Sequence, residues 1–427
     1  MNLSDRDRQF IWHPFTQHQT AKDSIAIVSG QGIYLTDEYG NRYIDAISSW
    51  WTNLFGHTHP FISQQIKNQL DSLEHVIFSG FTHQPAVDLA EKLIRTLGND
   101  QTKVFFSDNG STSVEVALKM AIQYRSNLGE KRNTIIAFKN AYHGDTFGSM
   151  SVGARGVFNR PFEPFLFDVS FVDLPDEANF NRLLIDFEEI IRTNKVAAFI
   201  FEPLVQGSAG MIMYKAEYLD KLIAIAQAHD VICIADEVMT GFGRTGRIFA
   251  SDYLLNKPDI FCLSKGITGG FMPLGVTTCT QKIYDAFLSD DKLKTFFHGH
   301  SYTGNPLACA AANASMEVLS HNLPEIQALA EWQRECGKKL QNHPKVEHFR
   351  QLGTIVAFEV KSDATSGYFN NLRDFLYDNF IQRGVLLRPL GNTVYILPPY
   401  IITKEELERV YIVINEVLDL LDNERLG

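Results

Sequence analysis

A chain of 427 residues, 45% hydrophobic and 21% charged, is long enough to bury a sizeable core in two or three domains. Its formal charge of −11 argues against a nucleic-acid binder, which needs a basic footprint, but leaves room for a local basic pocket. Five cysteines without a CxxC spacing point to buried free thiols. An N-terminus without an apolar signal core, and no run near the ~20 apolar residues of a membrane span, lead us to expect a cytoplasmic soluble protein.

In chain order, WHPFTQ (Trp12–Gln17) precedes GIYLTDEYGNRYIDAI (Gly32–Ile47), whose alternation around Tyr39-Gly40-Asn41 predicts a hairpin. SSWWTNLFGHTHP (Ser48–Pro60) carries adjacent tryptophans, which on an extended chain point to opposite sides, one inward and one toward a pocket. His57 and His59 lack a second ligand pair, so we expect a loop and no metal. Residues 61–97 read as helix, broken near Phe78–Gly80. KVFFSD (Lys103–Asp108) then reads as a strand, followed by an Asn109–Ser113 turn and a helix with Val114, Ala117, Leu118, Ala121 and Ile122 on its apolar face. A strand, a small-residue turn and a helix start can cradle an anion, although a plain Ser/Thr cap has the same pattern.

Thr134–Phe138 is a predicted strand leading to the loop NAYHGDTFGSMSV (Asn140–Val152). Lys195–Phe201 is another, ending in Glu202-Pro203 and a glycine-containing loop; a helix at Tyr218–Ala228 leads into the apolar run Val231–Asp236. A second apolar run ends in Lys265, and Gly275–Thr280 is a further strand. Strands alternating with helices imply βαβ units and a mostly parallel sheet, so the fold class is α/β. A long helix from Leu307 to about Ser320 follows FFHGHSYTGNP (Phe296–Pro306). The remainder, with a helix around Ala328–Gln341, strands at Thr354–Val360 and Thr393–Leu397 and a terminal helix from Lys404, reads as a smaller α+β domain. The expected division is 1–48 as a segment joining that small domain, 49–321 as the large domain and 322–427 as the small one.

Asp236 and Lys265 each close an apolar strand, where open α/β sheets place their ligands. A carboxylate for a ring nitrogen and an amine for a Schiff base are what pyridoxal phosphate asks of a protein. A turn cap and a surface lysine are the plainer reading of the same two residues.

DEVMTGFGRTG, Lys265 in LSKGITGG, the NGS turn and the EP…QG loop together resemble the class III, fold-type I aminotransferases. WHPFTQ, SSWW, YHGDTFGSMSV, HGHSYTGNPLACAAANAS and LRPLGNTVYILPPYII resemble the biotin-synthesis branch, which aminates 8-amino-7-oxononanoate to 7,8-diaminononanoate. The resemblance implies pyridoxal 5'-phosphate as cofactor, ping-pong transfer and a homodimer with shared active sites. It gives Lys265 the cofactor linkage and proton transfer, Asp236 the ring nitrogen, Gly110 and Ser111 the phosphate, and Tyr142 and Val238 the ring faces. Gly299, His300 and Ser301 match a segment supplied by the partner subunit, Arg388 the arginine for the substrate carboxylate, and Trp50 the wall of the substrate channel. Arg244, Asp145 and Tyr395 match supporting pocket residues.

Two residues depart from the branch. Gly299-His300-Ser301 stands where its best-known form has Gly-Pro-Thr, and Phe15 where members using adenosylmethionine have tyrosine. Lysine is therefore an alternative amino donor to S-adenosylmethionine, and an ω-amino acid enzyme of the same class a further alternative. A silent relative would be expected to lose the lysine, the aspartate or the arginine; all three are present.

Overall fold

Six of the seven strands in the central sheet run parallel. The computed structural model describes residues 2–156, 158–361 and 371–421. The strand order is Gln101–Ser107, Gly275–Thr280, Ile260–Leu263, Ile232–Asp236, Val196–Phe201, Thr134–Phe138 and Val169–Val172. Gly275–Thr280 is antiparallel to both neighbours, and the other pairings are parallel. Val196–Phe201 and Ile232–Asp236 are buried at every position, as strands covered by helices on both faces must be.

The period of two splits each strand between two cores. Ile135, Ala137, Ile232, Ile234, Ile260 and Cys262 pack toward the helix Gly110–Asn127. Ile136, Phe138, Cys233, Ala235, Phe261 and Leu263 pack on the opposite face, in one cluster with Phe187 and Leu222 of the helices Phe180–Thr193 and Ala216–Ala228. In Gly110–Asn127, Val114, Ala117, Leu118 and Ala121 are buried as expected. Ile122 is not; about 100° round the helix from Ala121, it stands at the rim of the stripe and is 36% exposed. The edge strand Val169–Val172 and the helix Phe180–Thr193 have no counterpart in the sequence reading; a four-residue edge strand with three half-buried positions carries little periodic signal.

The predicted hairpin forms from Tyr34–Asp37 and Arg42–Asp45. Asp37 closes it, accepting the Tyr39 and Asn41 N–H groups at 3.0 and 2.8 Å and the Tyr43 hydroxyl at 2.8 Å. Val385–Leu386, from near the other end of the chain, adds to this sheet parallel to Arg42–Asp45. Leu397 donates its N–H to the Ala46 carbonyl at 2.8 Å, so chain start and chain end meet at the entry to Ser48–Trp51. A second small sheet joins Val346–Leu352, Ile355–Val360 and Thr393–Ile396. Among the described residues no helix is long and apolar enough to cross a membrane.

Candidate active site

Asp236, Glu202 and Lys265 all stand at the carboxyl ends of parallel strands. Asp236 closes Ile232–Asp236, Glu202 follows Val196–Phe201, and Lys265 comes two residues after Ile260–Leu263. Lys265 has φ +46°, a left-handed conformation in which a non-glycine residue is strained, and its Nζ lies 4.4 Å from the centre of the Trp51 ring. Burial draws its amine down from the ordinary 10.5 to about 8, against the pull of the Asp236 and Glu202 charges.

Each carboxylate is held by fixed donors. Asp236 accepts His143 Nδ1 at 2.7 Å and the Val238 N–H at 3.1 Å. Glu202 accepts the N–H groups of Tyr142 and Gly207, both at 3.0 Å, and burial raises it to about 7. It forms no ion pair with Arg388, whose guanidinium lies 5.0 Å from the centre of the Trp50 ring. Tyr142 donates its hydroxyl to Asp145 at 2.8 Å, and burial, followed by that carboxylate, pushes the phenol well above its usual range.

The helix Gly110–Asn127 starts beside this group. Asn109 caps it: its side chain accepts the Thr112 N–H at 3.0 Å, and Thr112 Oγ1 accepts the Asn109 N–H at 3.1 Å. The N–H groups of Gly110 and Ser111 are left without an acceptor among the described residues, which is the donor arrangement of an anion site. The space there is tight. A Cβ on Gly110 would lie 2.8 Å from Val238 Cγ1, and one on Gly144, at φ +129°, would collide with Ser111. Asp145 donates its N–H to Ser111 Oγ at 3.1 Å, tying the Tyr142–Asp145 run to the helix start. A buried amine, a buried carboxylate and an N-terminal anion cradle together match the needs of a phosphorylated aldehyde cofactor.

The two tryptophans do not sit on an extended chain. Ser48, Ser49, Trp50 and Trp51 have φ of +51°, +44°, +70° and +74°, a left-handed turn that costs roughly 1–2 kcal/mol per non-glycine residue. The turn still sends the rings to different places. Trp51 is buried against Lys265 and meets Tyr395 edge-on at 6.0 Å. Trp50, 37% exposed, meets Phe15 at 5.7 Å and carries Arg388 on its ring. Arg244 is buried and donates to the carbonyls of Pro398 at 3.1 Å and Trp51 at 3.2 Å, clamping the far end of the turn, and its charge is felt at Lys265.

Gly299, His300 and Ser301 are elsewhere. Their stretch is tied to the outer side of Gly110–Asn127 through Lys119, which reaches His298 Nδ1 at 3.0 Å. Among the described residues no hydrogen bond, ion pair or ring contact joins them to Lys265 or Asp236 of the same chain. His57 spends both ring nitrogens on protein, one on Asp45 and one on Asn53, each at 3.0 Å. Nothing in the sequence marks His143 for Asp236 or says which of the two tryptophans meets Lys265. His143 is one polar residue among several in the loop Asn140–Val152, and Trp51 shares its residue type with its neighbour Trp50.

The family aminotransferase class-III matches residues 16–418. The adenosylmethionine-8-amino-7-oxononanoate aminotransferase of Synechococcus elongatus is 49% identical over 417 residues, covering 96% of this chain and 98% of that protein. The crystal structure of the enzyme of that name from Methanocaldococcus jannaschii superposes with a TM-score of 0.93 at 37% identity, over 98% of both chains. An amine transaminase from an uncultivated Pseudomonas species, in its PLP-bound form, does so with a TM-score of 0.90 at 31% identity, over 96% of this chain and 98% of that one. Likeness of this extent goes beyond a shared fold: the chain belongs to the class-III aminotransferase family.

Proposed function

We propose that this aminotransferase uses pyridoxal 5'-phosphate to convert 8-amino-7-oxononanoate into 7,8-diaminononanoate for biotin, taking the amino group from S-adenosylmethionine. The observation that carries the reading is the pairing of two receptors: a buried Lys265 amine beside Asp236, and an arginine laid on an aromatic wall at Trp50 and Phe15. Relatives named for this acceptor across nearly their whole length support it.

When bound, the cofactor supplies a carbonyl carbon for the amino group and a ring that takes up electrons. Lys265 is the residue to engage that carbon, and its lowered basicity keeps a usable share of neutral amine near pH 7. With the cofactor bound, the freed Lys265 Nζ would be the base that takes the proton from the amine-bearing carbon of the donor and gives it to the former carbonyl carbon of the cofactor, the acceptor half running the same shift in reverse. Asp236, held in place by His143 at 2.7 Å, suits the ring nitrogen. Gly110 and Ser111 suit the phosphate, and Tyr142 and Val238 the ring faces. Arg388 gives a planar, two-pronged donor for a substrate carboxylate. Tyr395 backs Trp51 and helps to shape the pocket.

Gly299, His300 and Ser301 complete this reading only if a second copy supplies them, so we take the enzyme as a homodimer with shared sites. Exposed Phe297 and Tyr302, with Tyr302 packed on His75 at 5.1 Å, support a contact there. The division into 1–48, 49–321 and 322–427 belongs to the same reading. It is supported by the sheet that Val385–Leu386 shares with Arg42–Asp45. So does a cytoplasmic location.

Phe15 favours a second reading, lysine as donor, because a phenylalanine against Trp50 offers no hydroxyl to the pocket. Adding S-adenosylmethionine and lysine separately to cofactor-loaded enzyme tests both. The true donor bleaches the visible band, and 8-amino-7-oxononanoate then restores it. Bleaching by neither, or no recovery with that acceptor, refutes the assignment.

A further inference from the structure

Asp45 is fully buried, has no hydrogen bond or ion pair with Lys265 or Arg388 among the described residues, and yet has both oxygens engaged on one segment. Its Oδ1 accepts the Ser49 N–H at 2.9 Å and its Oδ2 the Ser49 hydroxyl at 2.7 Å. Oδ2 also accepts His57 Nε2 at 3.0 Å. The imidazole is fixed in turn. Asn53 Nδ2 donates to its Nδ1, which leaves the Nε2 proton for Asp45, and the backbone of His57 is bonded to Gly32 in both directions. A Cβ on Gly30 would lie 2.9 Å from the His57 side chain, so that ring has little room to move.

The segment so held is the left-handed run Ser48–Trp51, whose four residues all have positive φ and none of which is glycine. Left to itself such a run relaxes, because L-residues avoid this region. Charge-assisted bonds to a buried carboxylate oppose that relaxation. Ser48 Oγ, bonded to the Leu397 carbonyl at 2.7 Å, and Arg244 on the Trp51 carbonyl fasten the two ends.

We propose that the Asp45–His57 pair is a positioning device for the reaction: it holds the Ser48–Trp51 turn, and so sets where Trp50 meets Arg388 and Trp51 meets Lys265. The proposal rests on the substrate reading above for its kinetic consequence, but not for its structural one.

The test is Asp45→Asn in the cofactor-loaded enzyme. Asparagine keeps an acceptor for the Ser49 N–H and loses the charge and the oxygen that accepts both the Ser49 hydroxyl and His57 Nε2. KM for 8-amino-7-oxononanoate should rise about tenfold with kcat reduced less than threefold, and the near-ultraviolet dichroism of the tryptophans should change without substrate. Adding Ser49→Gly, which makes positive φ cost-free at that position, should recover at least half of the KM effect. A purely structural role would lower the yield of loaded enzyme and leave KM and dichroism as in wild type; that result overturns the proposal. Failure of the glycine rescue overturns it as well. Should Asp45→Asn not fold, His57→Ala removes the ring's bonds to Asp45 and Asn53 but leaves both Ser49 bonds, and should raise KM about threefold, unchanged KM and dichroism again being contrary. If wild-type enzyme does not accept 8-amino-7-oxononanoate, the substrate reading fails and the dichroism still judges the turn.

Discussion

Lys265 brings its ε-amine over the Trp51 ring, and burial is the strongest influence on its basicity, ahead of the opposing charges of Asp236 and Glu202. A lysine drawn down to about 8 loses its proton well below the ordinary 10.5. The rate at which cofactor-free enzyme captures pyridoxal phosphate should therefore rise with pH to a midpoint near 8, followed by the growth of visible absorption. Asp236→Ala removes a charge that favours the protonated amine, so the midpoint should move lower still. A midpoint near 10.5, or an upward move in that variant, would contradict this account. Both residues were legible in the sequence because each is a polar side chain at the end of an apolar run. His143 was not, because its meaning is a 2.7 Å bond to a residue 93 positions away.

At the scale of elements, the helix start at Gly110 and the turn at Ser48–Trp51 illustrate opposite cases. The first announces itself through Asn109, Gly110 and Thr112, whose residue types are those of a helix cap. Gly110→Ala keeps helix propensity but drives a Cβ toward Val238 Cγ1, 2.8 Å away, at the point where the anion would sit. We expect at least a tenfold weaker cofactor affinity with little change in secondary structure, read by fluorescence titration and far-ultraviolet dichroism. The second gives no local signal. Ser-Ser-Trp-Trp has no glycine to announce positive φ, and the turn exists because Asp45, four residues before Ser49, and the distant Leu397 and Arg244 hold it.

For the whole molecule, a site shared between two copies would have a consequence that dilution exposes. If a second copy brings Gly299–Ser301 to the cofactor, specific activity should fall in step with dissociation, followed by sedimentation and initial rates at decreasing concentration. Phe297→Asp should weaken association and activity together, and a fully active monomer would refute the shared site. The sequence alone determined the α/β architecture and the positions of the lysine, the carboxylate and the anion turn, since apolar runs, their lengths and their terminal residues are local properties. Tertiary structure alone decided that Val385–Leu386 completes a sheet with Arg42–Asp45, that Arg388 lies on Trp50 rather than against Glu202, and that Trp51, not Trp50, covers Lys265. These are meetings of distant segments, and where they are paid for by strain, as at Ser48–Trp51, local preference points the wrong way.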